Sequence, residues 1–281
     1  AIQITERDEF CYSEMMAHVA LSSHPDPKRV LIVGGGDGGV LREVLRHKNV
    51  EKATLIDIDE DVINASKRFL PTISAALEDP RADVKPMDAM VYIKAAKEEF
   101  DIAIVDSTDP VEFAAGLFES PFYRDIHTAL KKDGMVVAQT ESPFTDRNVV
   151  RDAFREMSSV FPVVRMYWGA MPTYPSGMWT YTVGSKTADP SVPLRPAPEG
   201  TKYYTSEIHR ASFVLPPFVI DLLNKLLSLE YIGLSLTFRR GIERDESFGR
   251  PWRQRHSAER PERQCSGTAG QCTENSGPDR Q

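Results

Sequence analysis

Cysteine is scarce in this chain of 281 residues. The cysteines are Cys11, Cys265 and Cys272, and three scattered cysteines provide no disulfide framework. We therefore expect a reducing, cytoplasmic environment. The histidines are scattered as well, and no group of residues has the spacing of a metal site, so no bound metal is expected.

Long apolar segments and an excess of positive charge are also missing. No uninterrupted apolar run reaches the length of about 18 residues that a membrane-spanning helix needs. The 41 acidic side chains outnumber the 34 Lys and Arg side chains, and the net charge is -7. This charge disfavours a nucleic-acid partner, because phosphates require a basic surface. It is compatible with a small cationic substrate.

The chain does contain short apolar runs that alternate with helical patterns. Strands are expected near residues 30–33, 53–59, 82–90, 100–106 and 134–142, with two later strands at "VVRMYWGAMP" and "MWTYTVGS". A helix is expected to end at "LKKDG", where Lys and Gly are typical of a helix C-terminus. This alternation predicts an α/β fold with a Rossmann-like, doubly wound, mainly parallel sheet.

A glycine-rich loop, "GGGDGG" at residues 34–39, joins the first strand to a helix. Gly34, Gly36 and Gly38 allow a tight turn and a close approach of the backbone to a ligand. Asp57 ends the second strand about 20 residues later, a spacing that suits a carboxylate binding ribose hydroxyls. The pattern predicts a nucleoside-cofactor site. The alternative is a glycine turn that only packs the strand against the helix.

Asp37 lies within this loop and narrows the choice of ligand. Its carboxylate would repel a pyrophosphate, which disfavours a dinucleotide. A sulfonium nucleoside without its carboxylate fits better, because a cationic amine would be attracted to Asp37. The alternative is that Asp37 faces solvent.

Further carboxylates are expected where the third and fourth strands end. Asp88 either contacts an adenine amine or caps the following helix, and the sequence leaves both roles open. Asp106 and Asp109 follow the fourth strand at the edge of the sheet where ligands bind. Since no metal ligands accompany them, an organic amine is the expected partner, with one carboxylate accepting its proton. A simple turn with Asp and Pro is the structural alternative.

Several motifs in this order resemble the polyamine aminopropyltransferases, spermidine synthase in particular. These motifs are "TERDEFCYSEM", "GGGDGGVLREV", "DID", "DSTDP", "PTYPSG" and "YYTSEIHRASFVLP". The resemblance extends from residue 1 to about residue 223. It implies a fold of the class I S-adenosylmethionine-dependent methyltransferase type.

The resemblance also implies the reaction and the residues that carry it. The donor would be decarboxylated S-adenosylmethionine, a co-substrate rather than a cofactor, and the acceptor would be putrescine. The products would be spermidine and 5'-methylthioadenosine. Asp106 matches the base, aided by Tyr12, and the acceptor amine would be bound by Asp109, Gln139 and Tyr174. Donor binding is implied for Gln3, Gly34, Gly36, Asp37, Gly38, Asp57 and Asp88.

The sequence departs from the family pattern in three places. Residues 1–20 are expected to be the end of an N-terminal β-domain that supports homodimers or homotetramers, with most of that domain absent, followed by a lead-in helix. Residues 21–223 are expected to form the catalytic domain. Glu112 and Phe113 replace a Gly-Pro pair after "DSTDP", which bears on acceptor choice. Residues 224–281 have no counterpart and are expected to be a disordered tail.

Three other functions remain open at this point. The first is aminopropyl transfer to a different amine, such as cadaverine, spermidine or agmatine. The second is methyl transfer to a small molecule from intact S-adenosylmethionine on the same fold. The third is a truncated homologue that binds the nucleoside without turnover.

Overall fold

The computed structural model describes residues 4–108, 112–174 and 176–224, and it describes only the backbone of residues 112 and 113. Gln3, Asp109 and all of the predicted tail except Asn224 lie outside these ranges.

Seven strands form one sheet in the described part of the chain, in the order β3-β2-β1-β4-β5-β7-β6. Neighbouring strands from β3 to β5 are parallel, whereas β7 runs antiparallel to β5 and β6. The predicted Rossmann-like, mainly parallel sheet is thus confirmed. The strands are β1 Arg29–Gly34, β2 Lys52–Asp57, β3 Ala82–Pro86, β4 Phe100–Asp106, β5 Leu130–Gln139, β6 Val163–Ala170 and β7 Met178–Ser185.

Helices cover both faces of this sheet. They are α1 Glu9–Ser23, α2 Gly39–Leu45, α3 Glu60–Phe69, α4 Pro71–Ser74, α5 Ala89–Ile93, α6 Ser120–Ala129, α7 Arg147–Ser158, α8 Ser206–Ser212 and α9 Pro217–Asn224, with 3-10 turns at Ala75–Glu78 and Glu112–Phe118. Among the described residues, none of these helices has the length and apolar character needed to cross a bilayer.

Strand β1 shows why the parallel strands are apolar throughout. Val30 and Ile32 pack in one core cluster with residues of α1 and α2, whereas Leu31 and Val33 pack in a second cluster with residues of α5 and α6. Alternate side chains of a strand point to opposite faces, so a strand covered on both faces must be apolar at every position.

The predicted end of one helix is wrong. Helix α6 ends at Ala129, and "LKKDG" forms the first half of β5. Leu130 pairs with Phe100 of β4, and the Lys131 ammonium lies 2.9 Å from an Asp101 carboxylate oxygen. Strand pairing and this ion pair therefore outweigh the local helix-terminus signal.

Helix α1 crosses the boundary that was predicted between residues 20 and 21. Ala17 and Leu21 lie on opposite sides of that boundary and belong to the same core cluster. The Ser22 carbonyl at the end of α1 also accepts hydrogen bonds from the Leu194 and Arg195 amides. The helix is therefore part of the same core as the sheet.

Buried polar contacts join α1 to α2 behind the glycine loop. His18 of α1 lies 3.1 Å from a Glu43 carboxylate oxygen and 3.0 Å from the His47 ring. Burial opposes ionisation of Glu43, but hydrogen bonds from His18 and Arg42 hold its pKa at about 2. His18 therefore has the structural role of fixing α2 against α1.

The strand register brings the polar strand ends together. Gly34 at the end of β1 pairs with Asp106 at the end of β4, and Asp57 ends the neighbouring strand β2. Parallel strands end at the same edge of a sheet, so the glycine loop, Asp57 and Asp106 share one cleft.

We predict that Gly34→Ala destabilises the fold by more than about 3 kcal/mol. Gly34 has φ +79, and a Cβ atom there would lie 2.1 Å from the Asp106 carbonyl oxygen. The measurement is the free energy of unfolding in urea.

Gly177→Ala is the matched control, because Gly177 has φ +70 and a Cβ atom there would meet nothing within 4 Å. This variant should lose only the left-handed backbone term of about 1 kcal/mol. Equal losses in the two variants would contradict the steric argument.

Candidate active site

The glycine loop forms one wall of the cleft at the carboxyl edge of the sheet. Gly34, Gly35 and Gly38 have φ values between +69 and +85, which other residues rarely adopt. A Cβ atom on Gly35 would lie 2.7 Å from Oδ2 of Asp106. The absence of side chains therefore lets the loop backbone lie directly against the Asp106 carboxylate.

The glycine loop fixes the orientation of the Asp57 carboxylate. Its Oδ2 accepts a hydrogen bond from the Gly36 amide at 2.8 Å, and its Oδ1 accepts one from the Asp59 amide at 2.9 Å. Each carboxylate oxygen can accept more than one hydrogen bond. Asp57 is thus held in one orientation and retains acceptor capacity toward the cleft, as ribose binding would require.

Asp37 faces a second carboxylate that the sequence did not indicate. Its Oδ1 accepts a hydrogen bond from the Gly39 amide at 2.7 Å. A Cβ atom on Gly39 would lie 2.9 Å from this oxygen and 3.2 Å from Oε2 of Glu9. Burial raises the pKa of Asp37, and the charges of Glu9 and Asp57 raise it further. A cationic group is the partner that would relieve this repulsion.

Arg42 neutralises the negative charge of Glu9 and Glu43. Its guanidinium donates to both carboxylate oxygens of Glu9, at 2.9 and 3.1 Å, and to Glu43 at 2.9 Å. Ser13 also donates to Glu9. Glu9 is therefore compensated within the protein.

Asp106 is held by Tyr12 on one oxygen only. The Tyr12 hydroxyl donates to Oδ1 at 2.6 Å, whereas the buried Oδ2 has no hydrogen-bond partner among the described residues. Burial and the charge of Asp37 raise the pKa of Asp106 to about 8. Burial and Asp106 raise the pKa of Tyr12 well above its usual value, so Tyr12 remains a donor. A buried acceptor of this kind suits proton transfer near neutral pH.

Aromatic rings enclose the region beside Tyr12. The Tyr174 ring lies 5.9 Å from that of Tyr12 and 4.4 Å from that of Trp179, and the Tyr181 ring lies 5.9 Å from Tyr12. The faces of such rings carry negative charge and attract cations. The sequence pointed to Tyr12 and Tyr174, whereas the neighbouring Trp179 and Tyr181 emerge from their alternate positions on β7.

Gln139 and Glu141 lie beside these rings, since Gln139 at the end of β5 pairs with Tyr181 of β7. The Gln139 amide nitrogen donates to the Ser107 carbonyl oxygen at 3.1 Å and to a Glu141 carboxylate oxygen at 3.2 Å. Glu141 is buried and has φ +68. Glu141 lies two residues after the end of β5, at the same edge of the sheet as Asp106, which ends β4. The structure therefore adds a buried carboxylate to the predicted pocket.

The remaining predicted site residues have different outcomes. Asp88 caps helix α5, since its Oδ1 accepts a hydrogen bond from the Met90 amide at 2.7 Å. The predicted adenine contact is compatible with this role because the cap uses only one of the two carboxylate oxygens. Gln3 and Asp109 lie outside the described residues, as do the side chains of Glu112 and Phe113.

Within the described ranges, one group of possible metal ligands comes together, away from the cleft. His24, Asp101 and Asp133 have ligand atoms within 4.8 Å of one another. The Lys131 ammonium already lies 2.9 Å from Asp101, and the Asp26 amide donates to Nδ1 of His24. A neutral His24 then carries its proton on Nε2, the nitrogen that faces Asp133. These residues therefore form a structural network of ion pairs and hydrogen bonds.

The arrangement in the cleft is suited to a ligand with positive charge. Asp37, Asp57 and Asp106 lie around one backbone loop, and the tyrosines lie beside them. A nucleoside would use the loop and Asp57, a cationic group would be attracted to Asp37, and an amine would reach Asp106. Such a site favours transfer of a group to an amine.

Comparisons with known proteins agree with this geometry. The spermine/spermidine synthase domain family matches residues 9–195. A polyamine aminopropyltransferase of Caldicellulosiruptor saccharolyticus is 53% identical over 221 residues, which cover 78% of this chain and 80% of that protein. A polyamine aminopropyltransferase of Bacillus subtilis is 49% identical over 224 residues, 79% of this chain and 81% of that protein.

Solved structures give the same result. A spermidine synthase in complex with the transition-state analogue AdoDATO has a TM-score of 0.77 and 47% identity, covering 79% of this chain and 78% of the other. The spermidine synthase of Thermotoga maritima has a TM-score of 0.74 and 46% identity, covering 79% of this chain and 76% of the other.

We predict that Asp106→Asn stabilises the ligand-free protein more at pH 9 than at pH 6. The folded protein holds the Asp106 proton up to about pH 8, whereas the unfolded chain loses it near 3.8. The stability that this proton provides is complete below 3.8 and is lost as the pH rises through 8. The measurement is the midpoint of thermal unfolding at the two pH values.

Asp61→Asn, on the exposed face of α3, is the control for the same chemical change. Its difference from the wild type should not depend on pH between 6 and 9. A constant difference for Asp106→Asn as well would contradict the raised pKa.

Proposed function

This chain belongs to the spermine/spermidine synthase family and is an aminopropyltransferase, and from that premise we propose that it is a spermidine synthase. In this proposal, decarboxylated S-adenosylmethionine donates its aminopropyl group to putrescine. The products are spermidine and 5'-methylthioadenosine, and no further cofactor takes part.

The half-satisfied carboxylate of Asp106 is the observation that supports this proposal most directly. An alkylammonium ion has a pKa near 10 and must lose a proton before it can act as a nucleophile. Tyr12 occupies one oxygen of Asp106, and the other is buried without a partner among the described residues. With a pKa of about 8, Asp106 is a far better proton acceptor than an ordinary carboxylate.

The chemical step then follows from the charges. The amine gives its proton to Asp106, and the nitrogen lone pair forms a bond to the methylene carbon beside the sulfonium. The bond between that carbon and sulfur breaks, and its electron pair remains on sulfur. The sulfonium becomes the neutral thioether of 5'-methylthioadenosine. Much of the acceleration comes from holding nitrogen, carbon and sulfur in line.

On the donor side, each carboxylate has a separate role. Asp37 binds the amine of the aminopropyl group, Asp57 binds the ribose hydroxyls, and Asp88 contacts adenine through the oxygen that does not cap α5. Gly34, Gly36 and Gly38 allow the nucleoside to lie against the loop backbone. Gln3 is assigned to the donor by resemblance alone.

On the acceptor side, Tyr174 and Gln139 line the pocket, and Asp109 binds the distal amine. We add Glu141 to this pocket because it is buried beside Gln139. Putrescine is the proposed acceptor, and Glu112 and Phe113 are the positions from which a different preference would arise.

The assembly and location remain proposals of the same kind. We propose a cytoplasmic location and, if an N-terminal β-domain is present, a homodimer or homotetramer. Residues 224–281 are proposed to have no part in catalysis.

We predict that the protein forms 5'-methylthioadenosine from the decarboxylated donor and putrescine, and that Asp106→Asn lowers kcat by about 10²- to 10⁴-fold. An amide cannot accept the proton of the amine. The measurement is product formation against putrescine, cadaverine, spermidine and agmatine, and Asp61→Asn should behave as the wild type. Donor binding without turnover with any amine would contradict the proposal, as would methyl transfer from the intact donor.

We also predict that Asp37→Asn reduces the preference for the decarboxylated donor about tenfold, which corresponds to about 1.4 kcal/mol. The variant loses the charge that attracts the donor amine and repels the carboxylate of intact S-adenosylmethionine. Calorimetric titration with both donors measures the ratio of dissociation constants, with Asp61→Asn as the control. An unchanged ratio would place the donor amine elsewhere.

A further inference from the structure

The loop between β6 and β7 carries Tyr174. It is attached to the start of α1 and to the segment after β5, which carry other residues of the proposed acceptor pocket. Two residues of this loop, Thr173 and Ser176, make side-chain hydrogen bonds to other segments of the chain. These attachments lie on either side of Tyr174, whose ring faces Tyr12 and Trp179. The position of the Tyr174 ring therefore depends on where these attachments hold the loop.

The first attachment is to Asp8, immediately before α1. The Thr173 hydroxyl lies 2.6 Å from Oδ2 and 2.8 Å from Oδ1 of Asp8, and the Thr5 hydroxyl donates to Oδ1 at 2.6 Å. Asp8 is buried, with 8% of its surface exposed. Burial opposes its ionisation, but the hydrogen bonds from Thr173 and Thr5 lower its pKa.

Asp8 occupies the N-cap position of α1 but does not use its side chain as a cap. An aspartate at this position ordinarily accepts a hydrogen bond from an amide of the first helical turn. Here the carboxylate is directed to Thr5 and to the β6–β7 loop instead. Asp8 also precedes Tyr12 by four residues, which places the two on the same side of the helix.

The second attachment is to Ser142, in the segment after β5. The Ser142 and Ser176 hydroxyls lie 2.6 Å apart, and Ser142 directly follows the buried Glu141. The loop thus connects the segment that carries Tyr12 with the segment that carries Gln139 and Glu141.

We propose that Asp8 and Thr173 are positioning residues for the acceptor: their hydrogen bond holds Tyr174 against Tyr12 and sets the width of the amine pocket. This proposal rests on the proposed function. Within the described ranges, neither side chain makes a hydrogen bond to the glycine loop at residues 34–39, so the pair acts on acceptor binding and leaves donor binding unchanged.

Thr173→Val is the primary test, because it keeps the shape of the side chain and removes the hydroxyl donor. The expected result is a rise in KM for putrescine of about tenfold, a change in kcat below about threefold, and an unchanged dissociation constant for 5'-methylthioadenosine. Thr173→Ser restores the hydroxyl and should restore the KM.

Thr128→Val is the matched control. It also removes a threonine hydroxyl that donates a hydrogen bond, to the Arg124 carbonyl on the surface of α6. This variant should retain the wild-type KM. Asp8→Ala combined with Thr173→Val should raise the KM no further than Asp8→Ala alone, because Asp8→Ala already removes the hydrogen bond that Thr173→Val removes.

Two kinetic or binding results would overturn the proposal, besides the exchange result given below. The first is an unchanged KM for putrescine in Thr173→Val. The second is a parallel loss of affinity for putrescine and 5'-methylthioadenosine, which would indicate general damage to the fold.

Hydrogen exchange separates this proposal from the proposed function. The amides of Met171, Thr173, Tyr174, Ser176 and Gly177 should exchange faster in Thr173→Val than in Thr173→Ser and the wild type. If the wild type transfers no aminopropyl group, the proposed function fails. Hydrogen exchange then still tests whether the hydrogen bond between Asp8 and Thr173 holds the loop. Equal exchange in all three proteins would overturn the proposal.

Discussion

The close approach of β1 and β4 at Gly34 and Asp106 is the constraint on which the site depends. The two residues pair across the parallel strands, and the space in which Gly34 would have a Cβ atom is taken by the Asp106 carbonyl group. The missing side chain lets the donor loop and the proposed base share one cleft. The contacts of His18 with Glu43 then hold α2, and with it the end of the loop, against α1.

The cleft gathers carboxylates, and the protein compensates them unequally. Arg42 forms ion pairs with Glu9 and Glu43. Asp37 and Asp106 receive hydrogen bonds but no ion pair in the described part of the chain, and both have raised pKa values. Repulsion of this kind lowers stability, and cationic ligands relieve it. Because no Arg or Lys side chain in the described part of the chain forms an ion pair with Asp37 or Asp106, cationic ligands would balance the negative charge of these two residues.

Local sequence patterns predicted those parts of the fold and of the site whose structure is determined by residues nearby in the sequence. The apolar run of β1, the glycine loop and Asp57 have fixed spacings, so their common position at one edge of the sheet was predictable. The end of α6 was not, because an ion pair between Lys131 and Asp101 of another strand decides it. Glu141 and Asp8 owe their roles to segments distant in sequence. The left-handed backbone of Glu141, and the turn of Asp8 away from its helix, have no signature in neighbouring residues.

These differences follow a division within the sheet. The donor half of the cleft comes from the parallel strands β1, β2 and β4, whose ends are fixed by strand pairing. The proposed acceptor half comes from α1, the segment after β5 and the antiparallel β6–β7 hairpin. The segment after β5 is joined to β7 by backbone hydrogen bonds of Thr140, Glu141 and Thr180, whereas α1 and the hairpin loop meet through side chains such as Tyr12 and Tyr174. Backbone pairing constrains the strand ends more tightly than side-chain contacts constrain the hairpin loop. In the proposed function, substitutions in that loop therefore alter the fit of the amine while the nucleoside site stays intact, so amine specificity is the more adjustable property.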